Sequence, residues 1–236
     1  MKALLIRVAA DQSEGGGHWN GPVDSSTGQF AYVAIPEERQ IREGHAKPYS
    51  LAIPALAKFE KKLPDELASR NMHLDPDFDH LTYGDQGTRA QQIRSKLGSD
   101  DLLVFYSGLK DVRPASQLVY ALIGLFVIEE ILLAKDVPGN RWHENAHTRR
   151  HLSSEANDIV VRARYDVSGR LKRCIPIGDY RQRAYRVWPN LSEEWGGLNV
   201  KDGYLQRSAR LPEFLDAARF YAWFINQSVP LISNNY

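Results

Sequence analysis

The chain has 236 residues, 30 Lys and Arg against 29 Asp and Glu, and a formal net charge of +1, with 43% hydrophobic and 10% aromatic residues. These proportions exclude a disordered chain, a collagen and a coiled coil, and the length is enough to bury a sizeable core, read here as a single domain over 1–236. The longest apolar run, Leu118 to Ile128, is shorter than the ~20 residues a membrane helix needs, the opening MKALLIR meets a charge at Arg7 too early for a signal peptide, and lone Cys174 allows no internal disulfide, so a soluble, cytoplasmic protein with no membrane partner is expected.

In chain order, Lys2 to Ala9 is expected to form a buried opening strand. A glycine-rich loop follows from Asp11 to Gly28, and FAYVAI over Phe30–Ile35 resumes as a strand. Pro54 to Leu63 suggests a short helix, and Thr88 to Leu97 a helix of good propensity ended by Gly98. Asp100 and Asp101 precede the buried strand LLVFYSG. Leu118 to Leu133 favours strand by its β-branched and aromatic content, with helix left open and Gly124 marking a bulge or a close backbone approach. Asp158–Tyr165 and Arg170–Ile177 read as a hairpin around the turn Asp166–Gly169, and Leu211–Gln227 as a C-terminal helix with Pro212 in its first turn. Strands cluster without βαβ alternation, so the fold class is α+β and mostly antiparallel.

Charge is uneven. Residues 141–186 hold 11 basic and 5 acidic side chains, against 15 and 19 in residues 1–140. This suggests a local contact with an anion such as phosphate, or else a set of solvated and ion-paired arginines.

Four constellations could carry chemistry. His143-Glu144-Asn145-Ala146-His147 is a literal H-E-x-x-H, which on one helix would aim two imidazoles at zinc and a Glu at water. The crowding by Arg141, Arg149 and Arg150 disfavours a dication there, leaving a polar loop or an anion contact through His143, Asn145, His147 and the arginines. In His73-Leu74-Asp75-Pro76-Asp77, an extended backbone would point residues 73, 75 and 77 one way, giving an acid–base or divalent-metal set; a turn with Asp side chains bonded to backbone is the alternative. Gly15 and Gly16, with Asp11 and Asn20 nearby, could bring backbone N–H groups close to a phosphate. Tyr106, at the tip of LLVFYSG, could stack on a base together with a Trp.

The order of motifs resembles the third class of nucleotide-modification-associated domains. It is carried by Arg7, Asp11, Gly15–Gly16, Pro22–Val23, Ile35–Pro36, His73-Leu74-Asp75-Pro76-Asp77, Tyr83-Gly84-Asp85-Gln86-Gly87, Asp101–Phe105, Ile123-Gly124, Glu129-Glu130, Asn145-x-His147 and Arg207–Pro212. The family's Ser-Arg-Lys is here Ile6-Arg7-Val8. Within the resemblance, His147 belongs to the Asn-x-His element and Glu144 is incidental. A second, local resemblance over 100–165 is to PUA-like barrels of the EVE and ASCH kind, which implies a β-barrel core with flanking helices and a pocket for a modified or flipped base. Together the resemblances imply a protein that binds or processes a nucleotide or a modified base in nucleic acid. On that reading His73, Asp75 and Asp77 are candidate catalytic groups, and Arg7, Asp11, Gly15, Gly16, Asn20, Tyr106, Asn145, His147 and Arg149 candidate ligand contacts. They imply no particular cofactor. A nucleotide-modifying enzyme using the His-Asp-Asp set and a zinc hydrolase using His143, Glu144 and His147 are the alternatives.

Overall fold

The computed structural model describes residues 1–10, 19–113, 118–205 and 210–236. Within them run β1 (Ala3–Arg7), β2 (Pro22–Asp24), β3 (Gln29–Phe30), β4 (Ile35–Pro36), α1 (Ile53–Ala57), α2 (Asp65–Ala68), β5 (Met72–His73), β6 (Thr82–Asp85), α3 (Gly87–Lys96), β7 (Leu102–Asp111) and β8 (Leu118–Leu133). These are followed by α4 (Ala146–Arg149), β9 (Ile159–Ala163), β10 (Gly169–Arg181), β11 (Ala184–Val187), α5 (Pro189–Glu194), α6 (Ala217–Asn226) and β12 (Leu231–Ile232). Antiparallel β7 and β8 form the spine. β1 and β2 lie parallel to β7, β10 pairs with β8 from Tyr120 to Leu125, and β9 pairs with it from Ile128 to Leu133. β6 extends the sheet beyond β9, while β4 and β5 make a separate ladder. The fold is α+β and mostly antiparallel. No ladder closes the sheet into a barrel among the described residues, although the Cys174 N–H reaches the Gly28 carbonyl at 2.8 Å.

The sheet is apolar on both faces, which explains the weak periodicity of its sequence. Leu4 and Ile6 of β1 enter one core, and Ala3 and Leu5 the other. On β8 the assignment slips. Ala121 and Ile123 join Phe126 and Ile128 in the first core, while Tyr120 and Leu122 join Leu125 and Val127 in the second. The slip coincides with a bulge, where Phe105 pairs with Gly124 but Tyr106 with Leu122, leaving Ile123 as the extra residue. Both expectations for Gly124 hold. A Cβ there would sit 2.7 Å from Phe78 and 2.8 Å from the Gly169 carbonyl, so only glycine admits this packing.

Leu118–Leu133 is a strand throughout, as its composition favours. Several other elements differ from expectation. The hairpin of β9 and β10 does not form, because each pairs with a different half of the long β8. Of Phe30–Ile35 only the ends are strand, and the helix from Pro54 shortens to Ile53–Ala57. The C-terminal helix starts late, at the N-cap Asp216, whose side chain accepts from the Arg219 N–H at 2.9 Å; Glu213 and Phe214 bridge to Leu4 and Leu198 instead. No helix of the described residues is long and apolar enough to cross a membrane.

Cys174 is buried in the first core, and burial pushes its thiol up to about 12. Thiol reagents at neutral pH are therefore expected to modify it only in denaturant, measured as labelling with and without urea.

Candidate functional site

Where the β4–β5 ladder meets β6 and the start of α4, the molecule holds a cavity of about 460 Å³, lined among others by Arg7, Arg39, His73, Asp75, Gly84, Asp85, Arg89, His147 and Arg150. β5 delivers His73, paired across the ladder with Ile35, and Glu37 follows two residues beyond Ile35. Asn145 caps α4 by accepting the His147 N–H at 2.8 Å, which sets His147 in the helix's first turn. Asp75 lies between the two imidazoles. Its Oδ1 accepts from the Gly84 N–H at 2.6 Å and from Asn145 Nδ2 at 3.3 Å. Its Oδ2 is buried without a hydrogen-bond partner, 3.3 Å from His147 Nε2 and 3.6 Å from His73 Nε2.

Each imidazole is backed by a carboxylate. His73 Nδ1 lies 2.8 Å from Glu37 Oε2, and His147 Nδ1 lies 2.6 Å from Asp158 Oδ2. A carboxylate this close requires a proton on Nδ1, so both Nε2 atoms face Asp75. Arg150 also approaches His73 Nδ1, at 3.0 Å, but its guanidinium is taken by Glu37. Burial opposes charge on Glu37, yet the bonds from His73 and Arg150 hold its pKa down at about 2. Burial dominates at His73 and lowers its pKa despite Glu37. At His147 burial is outweighed by the bond to Asp158 and the negative charge of nearby Asp75, and its pKa rises to about 9. The pair thus offers one neutral and one charged imidazole at neutral pH, flanking one carboxylate, a set able to give and take protons. On the cavity wall, Arg89 pairs with Asp85 at 2.9 Å and donates to the Tyr83 hydroxyl, while Arg39 donates to Gln86 at 2.8 Å.

The structure gathers Arg7, His73, Asp75 and His147 at this cavity, with Asn145 behind Asp75. It takes others elsewhere. The chain turns after Asp75, so 73, 75 and 77 do not share one direction. Asp77 is fully buried and ion-paired with Arg149, and it also accepts from Asn235 Nδ2 at 2.9 Å. Asp77 and Arg149 therefore satisfy each other away from the lining. Tyr106 is buried in the second core beside Tyr120, because both faces of β7 are covered, so it has no free face for a base. No Trp lines the cavity; Trp195 is core and Trp142 lies under the Arg42 guanidinium. Asn20 is buried and donates to the Gly108 carbonyl. Asp11, Gly15 and Gly16 lie outside the described residues.

The H-E-x-x-H stretch is not one helix. His143 and Glu144 end a 3₁₀ turn, Asn145 is extended (φ −143°, ψ 152°), and only then does α4 begin. His143 meets His80, and Glu144 pairs with Arg141 and Arg162. His143 and His147 thus have no common face, and the zinc-hydrolase arrangement is overturned.

A family model described as nucleotide modification associated domain 3 matches residues 2–217. The chain belongs to this family. Comparison with curated proteins finds no match, nor does comparison with solved structures. In this nucleotide modification associated domain, the motif stretches around His73, Gly84 and Asn145 meet at one cavity. Sequence reasoning missed Glu37, Asp158, Arg39 and Arg89, while Asp85 stood only within a family motif and Arg150 only beside the H-E-x-x-H stretch. Glu37 and Gly84 stood beside or inside the motifs already noted, but nothing in the sequence joined Asp158 to His147.

Gly84 lets β6 pass against the site. A Cβ there would lie 2.3 Å from His147 Cδ2, 2.7 Å from Asn145 Oδ1 and 2.9 Å from Asp75 Oδ2. Gly84→Ala is expected to cost about 1–3 kcal/mol, read from the urea midpoint. Asp77→Ala leaves Arg149 buried and uncompensated, and about 3–5 kcal/mol is expected to be lost in the same measurement.

Proposed function

We propose that this member of a family linked to nucleotide modification is an enzyme that binds a free nucleotide in the Arg-lined cavity and acts on it at His73, Asp75 and His147. The observation that carries this reading is Asp75 Oδ2, a buried carboxylate oxygen without a hydrogen-bond partner, facing two imidazoles at a cavity. Proton transfer and metal-assisted chemistry both call for a buried carboxylate of this kind. The cavity volume of about 460 Å³ falls within the ~300–1,000 Å³ usual for small-molecule sites. Arg39 and Arg89 stand where anionic oxygens of a nucleotide would meet them.

Two further observations favour a free nucleotide over a strand. Several arginines of the basic middle segment are paired with carboxylates of the same molecule. Arg149 pairs with Asp77, Arg150 with Glu37, Arg162 with Glu130 and Glu144, and Arg164 with Asp100. These pairs take part of that excess out of any phosphate track. Among the described residues the lining also offers no large stacking platform, since Tyr83 is buried with its hydroxyl bonded to Asp85.

The test is equilibrium binding of nucleoside monophosphates, triphosphates and short single-stranded oligonucleotides at low salt, with chelator present. Mononucleotides should bind and Arg39→Ala should weaken them about 10-fold or more, as expected for a charge-assisted contact of ~1.5–3 kcal/mol. Binding by oligonucleotides alone, or by neither, overturns the reading.

A further inference from the structure

The facing of Asp75 Oδ2 and the two Nε2 atoms has a second consequence. With its Nδ1 proton on Glu37, His73 presents an Nε2 lone pair toward the Asp75 carboxylate at 3.6 Å. Two acceptors turned on each other inside a protein need a positive charge beside them; the His147 proton supplies it without a metal, and a metal ion that displaces this proton would satisfy all three atoms. The ligand atoms of His73, Asp75 and His147 all lie within 4.8 Å of one another. Metal bonds of ~2.0–2.2 Å place neighbouring ligand atoms about 3.0–3.5 Å apart, close to the observed 3.3 and 3.6 Å.

We infer that His73 Nε2, Asp75 Oδ2 and His147 Nε2 form a binding site for one divalent transition-metal ion. The surroundings are those of a metal centre. Glu37 and Asp158 accept hydrogen bonds from the Nδ1–H groups of the two imidazoles, fixing ring orientation and tautomer as outer carboxylates do for ligating histidines. The Gly84 N–H and Asn145 Nδ2 occupy Asp75 Oδ1, leaving Oδ2 to ligate. Around the site Asp75, Glu37 and Asp158 stand against Arg150, a balance that favours a dication. Three protein ligands leave coordination positions open toward the cavity, where water or a substrate oxygen could bind. Two imidazoles and one carboxylate suit Zn²⁺, Fe²⁺ or Mn²⁺ and disfavour Mg²⁺ and Ca²⁺, which seek oxygen ligands. The ligands come from β5, the turn after it and α4, not from the contiguous H-E-x-x-H. This inference rests on the nucleotide reading only for what the metal would act upon, and binding of the ion is measured without nucleotide.

The full-length protein, stripped with chelator, would be titrated with Zn²⁺ and Co²⁺ in excess Mg²⁺. Uptake of one ion per chain is expected, with a visible Co²⁺ spectrum and no competition from Mg²⁺. His73→Ala and His147→Ala should lower affinity at least 100-fold, and Glu37→Gln about 10–100-fold as an outer-carboxylate variant. Should these variants misfold, Cu²⁺-loaded wild-type protein still decides the matter, since pulsed electron paramagnetic resonance should resolve two imidazole nitrogens on one ion. Absence of stoichiometric uptake, one imidazole or none, or full affinity in folded His147→Ala overturns the site. Nucleotide binding in chelator would survive that failure, so the two readings fail separately.

Discussion

The site depends on a buried carboxylate held with half of its hydrogen-bonding capacity unused. A desolvated Asp is costly unless it is paired, and Asp75 is paired on one oxygen only. The fold tolerates this because the neighbourhood is rigid. The Gly84 amide, the Asn145 side chain and two imidazoles backed by Glu37 and Asp158 leave the carboxylate a single setting. Five stretches of the chain contribute, so the arrangement exists only when β4, β5, β6, α4 and the residue before β9 are all in place.

The two histidines show how similar side chains acquire different characters from their surroundings. Both are buried, and each has a carboxylate on Nδ1. At His73 Arg150 shares the carboxylate, and burial wins. At His147 the bond to Asp158 and the charge of Asp75 outweigh burial. Asp75 lies nearer to His147 than to His73, at 3.3 Å against 3.6 Å, and the charge on His147 itself holds His73 down.

What the sequence made legible follows from physical range. Local signals worked: the opening strand, the helix before Gly98 and the special status of Gly124 all depend on near neighbours. The family motifs named His73, Asp75 and His147, and these converge. Long-range pairing was invisible. Asp158 meets His147 only because β9 runs beside β8, and Glu37 meets His73 only through a two-residue ladder. The partners of the basic segment were hidden for the same reason, since carboxylates that pair with it lie at Glu37, Asp77, Asp100 and Glu130. Tyr106 misled because a strand covered on both faces has no outer side, and Asp77 because alternation was assumed through a proline turn.

Asn235 ties down the loop that follows Asp75. Its side-chain oxygen accepts from the Phe78 amide, its Nδ2 donates to Asp77, and its own amide donates to Asp79. This loop is therefore fastened by a residue made more than 150 positions later. As the chain emerges from the ribosome, these three bonds cannot form until residue 235 has been made, so the segment behind the imidazoles waits for its latch.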